Sequence, residues 1–317
     1  MTVATRYAHL AHALRREGVV NGLRTRWRRH VWTRAASIRR EVEVPIQSGV
    51  RLRLFTDDAA SMAIFVHDFE RVERQFLNAF LRSGDILVDV GANLGLYSVI
   101  AGSRVGSRGQ VYAFEPGARA FQRLVDNVAL NRLTNVECHR VALSDRTGQA
   151  PMASSLDGYD AWNSLGRPIR GSRYVQELVE CSRWDDFARQ HGLVGRVAMM
   201  KIDVEGWERH VLLGGAETFR RDDAPVLQIE FTDEAARAAG SSCAALYGLL
   251  EDLGYQMHAY DGSSGRLKPD PLREEYPYVN LMAVKRPELV LRRLERRSAW
   301  LRSASEVLST RERAWPR

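Results

Sequence analysis

Hydrophobic and polar positions along this 317-residue chain change their period several times. Within 5–40, Val19, Leu23, Trp27 and Val31 recur at every fourth position, the spacing of a helix face. Gly18 and Gly22 predict a split of that helix into two pieces. EVEVPIQSGVRLRLFT, 41–56, alternates apolar and polar residues about Ser48-Gly49, the pattern of a hairpin. Phe69, Val72, Phe76, Leu77 and Phe80 return to helical spacing, which Gly84 stops. Apolar runs at 85–90, 110–115, 135–142, 197–203 and 225–231 then predict buried strands, alternating with helical patterns at 94–104, 118–131, 207–213 and 243–253. Such alternation predicts an α/β fold, a doubly wound and mostly parallel sheet with helices on both faces. Near the end, YQMHAYDG and YVNLMAVKR predict an antiparallel pair of strands at the sheet edge. Residues 151–172, rich in Gly, Ser, Pro and aromatics, interrupt the pattern as a long loop. A substrate lid and a plain surface insertion both suit such a loop.

Charge divides the chain into three parts. Residues 1–41 carry ten arginines against two glutamates, and 285–317 carry ten Lys/Arg against four glutamates. With a total of +7, the intervening 42–284 stand at −7. The expected organisation is a basic helical extension at 1–41, a catalytic domain at 42–285 and a basic helix at 286–317, where Val290, Leu294, Leu301 and Leu308 punctuate the arginines. A pI of 9.6 usually invites thoughts of nucleic acid, but the positive charge lies off the folded body, so no nucleic-acid partner is expected. The basic termini suit packing on the domain, a second subunit in a homo-oligomer, or peripheral contact with an anionic membrane. No apolar run reaches the roughly 20 residues of a membrane span, and the first residues lack the apolar core of a secretory signal. The three cysteines, Cys138, Cys181 and Cys243, fit no zinc spacing and suit a reducing interior. A cytoplasmic protein is expected, with attachment to the inner membrane face as a variant of that reading. Only Lys201, Lys268 and Lys285 are lysines, a skew toward arginine that fits a high-GC bacterial genome.

Ligands of doubly wound sheets bind at the carboxyl ends of the strands. DILVDVGANLGLYS, 85–98, ends a strand in Asp89 and turns through Gly91, Asn93 and Gly95; VYAFEP, 111–116, ends the next in Glu115. Gly91 lets the backbone turn sharply and approach a ligand, Asn93 tolerates positive φ, and Gly95 lets the next helix pack closely. Glu115 is placed to accept both hydroxyls of a ribose. A dinucleotide fingerprint would read G-x-G-x-x-G around a pyrophosphate; an acid before a G-A-N-L-G turn suits a cationic amino-acid ligand better. S-adenosylmethionine carries a ribose, an ammonium and a sulfonium, and is the expected donor.

With these motifs the chain resembles the FkbM-type S-adenosylmethionine-dependent methyltransferases, from about Glu70 to Val284. The resemblance is carried by VDVGANLGLYS (88–98), VYAFEP (111–116), NVALNRLTNVECHRVALSD (127–145), MKIDVEGWE (200–208), APVLQIEF (224–231) and YVNLMAVKR (278–286). It implies a Rossmann-like class I methyltransferase sheet with an antiparallel edge strand. It also implies that Asp89, Gly91, Asn93 and Gly95 hold the methionine part, that Glu115 holds the ribose, and that Asp145 or its neighbours contact the adenine. O-transfer is implied by the resemblance; the residues alone also allow N-transfer. Two departures bear on the acceptor. Ser182-Arg183-Trp184-Asp185-Asp186 stands where the family often has Thr-Leu-Asp-Asp, and Trp207 where a small residue is usual.

Acids also end the fourth and fifth strands. Asp203, Glu205 and Glu230 converge on the edge where a methyl group would be delivered. An alcohol has a pKa of roughly 16 and needs a base or a metal as its proton leaves. One carboxylate can act as that base, or Asp203 and Glu230 can share Mg²⁺; capping of the next helix is the bland reading, above all for Glu205. Lys201 shares a strand face with Asp203 and can lower its pKa. The expected activity is O-methylation of a hydroxyl on a sugar, glycan or other small-molecule secondary metabolite. The competing readings are a non-catalytic cofactor-binding protein of the same fold and an NAD-linked oxidoreductase.

Overall fold

The computed structural model describes residues 19–38, 40–156, 164–166 and 173–295. Gly18, Leu301 and Leu308 lie outside them, as do 157–163 and 167–172 of the expected loop.

A helix, α1 (Val19–Ala36), enters first and runs unbroken through Gly22. The expected break at Gly22 is corrected: one helical glycine costs only about 1 kcal/mol, which tertiary packing overrides. Trp32 supplies that packing, buried against Phe65 with ring centroids 5.4 Å apart. The hairpin of β1 (Glu41–Gln47) and β2 (Val50–Phe55) follows, and alternation sends Val50, Leu52 and Leu54 into the core. Asp58 caps α2 (Ala59–His67) through the amides of Ala60 and Ser61. Next comes α3 (Arg71–Phe80), which buries Phe76, Leu77 and Phe80 and leaves Val72 exposed.

Strands and helices then alternate as the sequence predicts: β3 (Ile86–Val90), α4 (Leu96–Val105), β4 (Gln110–Phe114), α5 (Ala118–Leu130) and β5 (Val136–His139). The run predicted as one strand over 135–142 is split, because β6 (Ala142–Leu143) leaves the main sheet. It pairs with β8 (Tyr174–Ser182), which pairs in turn with β7 (Gly148–Ser155). Residues 151–155, expected to be loop, therefore belong to a strand of this small second sheet. After it come α6 (Trp184–Gln190), β9 (Met199–Ile202), α7 (Glu208–Gly214), α8 (Ala216–Arg220), β10 (Val226–Phe231), α9 (Asp233–Ala238), α10 (Cys243–Asp252), β11 (Gln256–Asp261), β12 (Arg266–Pro269) and β13 (Val279–Val284).

The main sheet has the order β12-β11-β13-β10-β9-β3-β4-β5. The five strands from β10 to β5 are parallel, and β13 runs against both of its neighbours. One face is covered by α3, α4 and α5, the other by α6 to α10, each with its own apolar core. At the edge β12 runs against β11 in turn, and the order with the reversal of β13 between β10 and β11 defines the class I methyltransferase sheet. The termini set apart by charge take part in it. Trp32 enters one core, and so do Val290 and Leu294 from the final helical turns at 287–295. Arg293 fastens those turns by donating to the Phe80 carbonyl at 2.8 Å and by an ion pair with Asp85.

In the departure Ser182-Arg183-Trp184-Asp185-Asp186, Trp184 is fully buried and Asp185 caps α8, accepting from the amides of Glu217 and Thr218 at 3.0 Å each. That stretch serves the scaffold rather than an acceptor.

Candidate active site at the carboxyl edge of the sheet

Four strands end together at one cleft of about 550 Å³, a figure that includes its open mouth. Gly91, Asn93, Glu115, Asp203 and Glu205 are in its wall. The turn after β3 is built for close approach. Gly91 has φ 79°, and a Cβ there would lie 1.8 Å from the Asp203 carbonyl oxygen. Asn93 adopts φ 50°, as its residue type allows. Gly95 sits against α5, where a Cβ would come within 2.8 Å of the Leu124 side chain.

Glu115 ties the two strand ends together. Its Oε2 accepts from the Asn93 amide at 2.9 Å and its Oε1 from the Gly117 amide at 2.8 Å. Asn127, which the sequence reading did not single out, supports the same turn from beneath. Its Nδ2 donates to the Leu94 carbonyl at 2.8 Å, while its Oδ1 accepts from Arg53 of β2 at 2.6 Å.

Not every expected residue faces the cleft. Asp89 is fully buried below the turn, with Oδ2 accepting from Ser98 at 2.6 Å; burial pushes its carboxyl up. Alternation directs the Asp89 side chain under α4, beneath the turn and outside the cleft wall. Asp145 is also outside the wall: Ser144 Oγ lies 3.0 Å from its Oδ1, and its neighbours Ala142 and Leu143 line the cleft instead. Trp207 closes the same side, stacked on His210 at 3.7 Å and donating to Ser144 Oγ at 3.1 Å. Ser164 and Leu165 of the second-sheet excursion line the cleft too, and Ser164 Oγ donates to the Glu205 carbonyl at 2.9 Å.

The acidic group is coherent. One oxygen from each of Asp203, Glu205 and Glu230 lies within 4.8 Å of the others. Lys201, buried in β9, donates to Asp203 Oδ2 at 2.8 Å. Burial alone would push the Asp203 carboxyl up; the Lys201 charge and hydrogen bonding to Glu230 outweigh it and hold Asp203 below its ordinary value. Glu230 goes the other way, raised well above the ordinary range by burial and by the charges of Glu205 and Asp203. Its Oε1 accepts from Thr232 Oγ1 at 2.6 Å. Opposite shifts in two adjoining carboxyls assign the shared proton to Glu230 and the negative charge to Asp203. Glu205 sits at φ 52° and does not cap the next helix. Glu208 has that local role, since its Oε1 accepts from the amides of Val204 at 2.9 Å and Gly206 at 3.2 Å. His139 packs on Phe114 and Phe187 away from the acids.

The fold and this edge define a class I methyltransferase scaffold. Residues 89–257 match the methyltransferase FkbM domain, more than half of the chain, and the chain belongs to that family. Among its relatives is methyltransferase 1 of Beauveria bassiana, 26% identical over 51% of this chain and 71% of that one. The hexuronic acid methyltransferase AglP of Haloferax volcanii is 28% identical over 46% of this chain and 56% of its own length. The 31-O-demethyl-FK506 methyltransferase FkbM of Streptomyces tacrolimicus is 28% identical over 42% and 60%. The match thus spans from little more than half to 71% of these relatives.

Proposed function

We propose that the protein is an S-adenosylmethionine-dependent O-methyltransferase whose acceptor is a hydroxyl of a sugar or other secondary metabolite. The observation that carries this reading is the convergence of the Gly91 turn, Glu115 and Asp203 in one cleft. A Cβ at Gly91 would run into the Asp203 carbonyl, so the glycine lets the ends of β3 and β9 close together at the cleft. Gly91 and Asn93 would hold the donor's amino-acid part, and Glu115 the ribose. The donor supplies an electrophilic methyl group on a sulfonium. Asp203 orients the acceptor hydroxyl in line with it and takes the O–H proton as the new O–CH3 bond forms. Lys201 keeps Asp203 ionised for that task, and the excursion bearing Ser164 and Leu165 helps exclude water. Relatives named for hexuronic acid and for a demethylated oxygen support a hydroxyl acceptor.

The same three carboxylates form a hard-oxygen set of the type that holds Mg²⁺. Lys201 already places a positive charge on Asp203, so a proton relay without metal is the reading preferred here. Isothermal titration with S-adenosylhomocysteine and with NAD tests the donor assignment: binding of the former alone is expected, and binding of NAD alone would overturn it. Binding of S-adenosylhomocysteine with no transfer to any hydroxyl acceptor would leave the non-catalytic reading in its place.

The proposal includes a peripheral membrane contact through α1. Among the described residues no helix is long and apolar enough to cross a membrane. Trp27 is nonetheless 63% exposed on α1, flanked by exposed Arg26, Arg29 and Arg34. An exposed aromatic between arginines suits an anionic lipid surface.

A further inference from the structure

The cleft leaves unexplained a layer of buried polar side chains on the α3–α4 face of the sheet, beside Asp203. Glu70 opens this layer. It precedes α3 in left-handed backbone geometry, φ 51° and ψ 42°, and its side chain makes no cap hydrogen bond. Its carboxylate instead accepts from the Tyr278 hydroxyl and from Asn280 Nδ2, the latter at 2.8 Å. Backbone strain of this kind persists where the surroundings hold it, most often at functional sites.

Register places this layer next to the acids. Asn280 is the cross-strand partner of Glu230, and Gln228 is level with Lys201. Burial and the charges of Glu70, Asp203 and Glu230 raise the Tyr278 hydroxyl well above its ordinary value. Gln228 donates to the Tyr97 hydroxyl at 3.0 Å, and Lys201 Nζ lies 4.6 Å above the Tyr97 ring.

Two oxygens of this layer have no partner among the described protein groups: Gln228 Oε1 and Asn280 Oδ1, on residues 0% and 6% exposed. Each can accept a hydrogen bond, and leaving one buried and unmade costs about 1–3 kcal/mol. A ligand rich in O–H donors would satisfy them. Tyr278 as a residue is 39% exposed while its hydroxyl is fixed by Glu70 and Asn280. It therefore offers a rigid apolar face beside these acceptors, the combination that suits the two faces of a sugar ring. Charge narrows the class further. Glu70 and Asp203 both bear on the Lys201 charge, two carboxylates to one ammonium, so a carboxylated or phosphorylated ring would be repelled.

We propose that Glu70, Tyr278 and Asn280 form the acceptor subsite, and that it takes an uncharged polyhydroxylated ring, a neutral sugar, with one hydroxyl presented to Asp203. This inference rests on the methyltransferase reading above. Glu70, Tyr278 and Asn280 lie outside residues 89–257, the segment that matches the family model.

Saturation-transfer NMR on the protein loaded with S-adenosylhomocysteine tests it, using methyl α-glucopyranoside, methyl α-mannopyranoside and methyl α-rhamnopyranoside against glucuronate. Signals are expected from at least one neutral glycoside and none from glucuronate. Tyr278→Phe and Glu70→Gln should each weaken the neutral ligand by about tenfold, the loss of one hydrogen bond to a charged group. S-adenosylhomocysteine affinity should stay within about twofold in both, which separates acceptor recognition from a general loss of structure. Tyr278→Phe keeps the ring and retains a test should Glu70→Gln fold poorly. No signal from any neutral glycoside, a preference for glucuronate, or unchanged binding in both variants would overturn the subsite. Failure of the wild type to bind S-adenosylhomocysteine would instead overturn the methyltransferase reading on which it rests.

Discussion

Lys201 and Asp203 form a buried ion pair, Nζ to Oδ2 2.8 Å, at the end of the strand that separates the donor cleft from the polar layer under α3. Asp89 and Glu70 also bear on the Lys201 charge. Lys201→Met would leave these carboxylates with no buried cation, and a loss of about 3–5 kcal/mol in denaturant unfolding is expected. The pH dependence has a definite sign. Asp203 is held below its ordinary value, so its contribution is full above the ordinary aspartate range and fades as pH falls through and below it. Lys201 is raised, so its part is full below the ordinary lysine range and fades at higher pH. Unfolding of Lys201→Met at several pH values should show both dependences reduced.

The donor turn gives a prediction in two grades. At Gly91 even alanine places a Cβ 1.8 Å from the Asp203 carbonyl and must also hold φ 79°. Gly91→Ala should abolish S-adenosylhomocysteine binding in a calorimeter. Glu115→Ala should weaken it by about 1–3 kcal/mol. The same variant should lower stability as well, since the Asn93 and Gly117 amides lose their acceptor. Wild-type titration curves in both variants would refute the assignment of this turn.

The sheet was legible in the sequence because its strands are continuous apolar runs and its helices carry one apolar stripe. Gly91, Asn93 and Glu115 were legible for a related reason: turn chemistry and a strand-end acid are local signals. The strand-end position of Asp89 does not reveal which face its side chain takes, and alternation turned it under α4. The second sheet was hidden because β7 carries Gly, Pro and two serines, a loop composition that pairing with β8 overrides. Tyr278 and Asn280 fell within YVNLMAVKR, legible as a strand, but nothing in that stretch joined them to Glu70. They meet only through pairings some 210 residues apart in sequence.

Glu208 predicts a pH response of opposite sign. Burial raises its carboxyl from 4.5 to about 7. Between those values the folded state holds more protons than the unfolded chain, so stability contributed at this site falls as pH rises through the window. Glu208→Gln keeps an oxygen for the Val204 and Gly206 amides and removes the titration. Its melting temperature should change less than that of the wild type between about pH 4.5 and 7, whereas Glu208→Ala should lose the turn and melt lower throughout.

Helix α1 offers Trp27 and its arginines to an anionic surface. Flotation with phosphatidylglycerol vesicles should carry the protein upward at low salt and release it at high salt, because the attraction is screened. Trp27→Ala should reduce recovery severalfold at low salt by removing the aromatic anchor. Equal recovery with neutral and anionic vesicles, or none with either, would remove the membrane from the proposal.

Asp203 carries the last prediction. Its carboxylate is ionised beside Lys201 and next to a Glu230 that retains its proton, so it can accept the acceptor's hydroxyl proton while the pair as a whole stays neutralised. Asp203→Asn preserves shape and removes the base; turnover should fall by about 10²–10⁴-fold with S-adenosylhomocysteine affinity nearly intact. Glu230→Gln keeps a donor toward Asp203 and should cost far less, about tenfold or under, if the proton on Glu230 only stabilises the pair. EDTA distinguishes the two uses of the acids. Under proton transfer without metal, chelation leaves the wild-type rate unchanged; a rate abolished by EDTA and restored by Mg²⁺ would make Asp203, Glu205 and Glu230 ligands instead. Full activity in Asp203→Asn would reject either role for this residue.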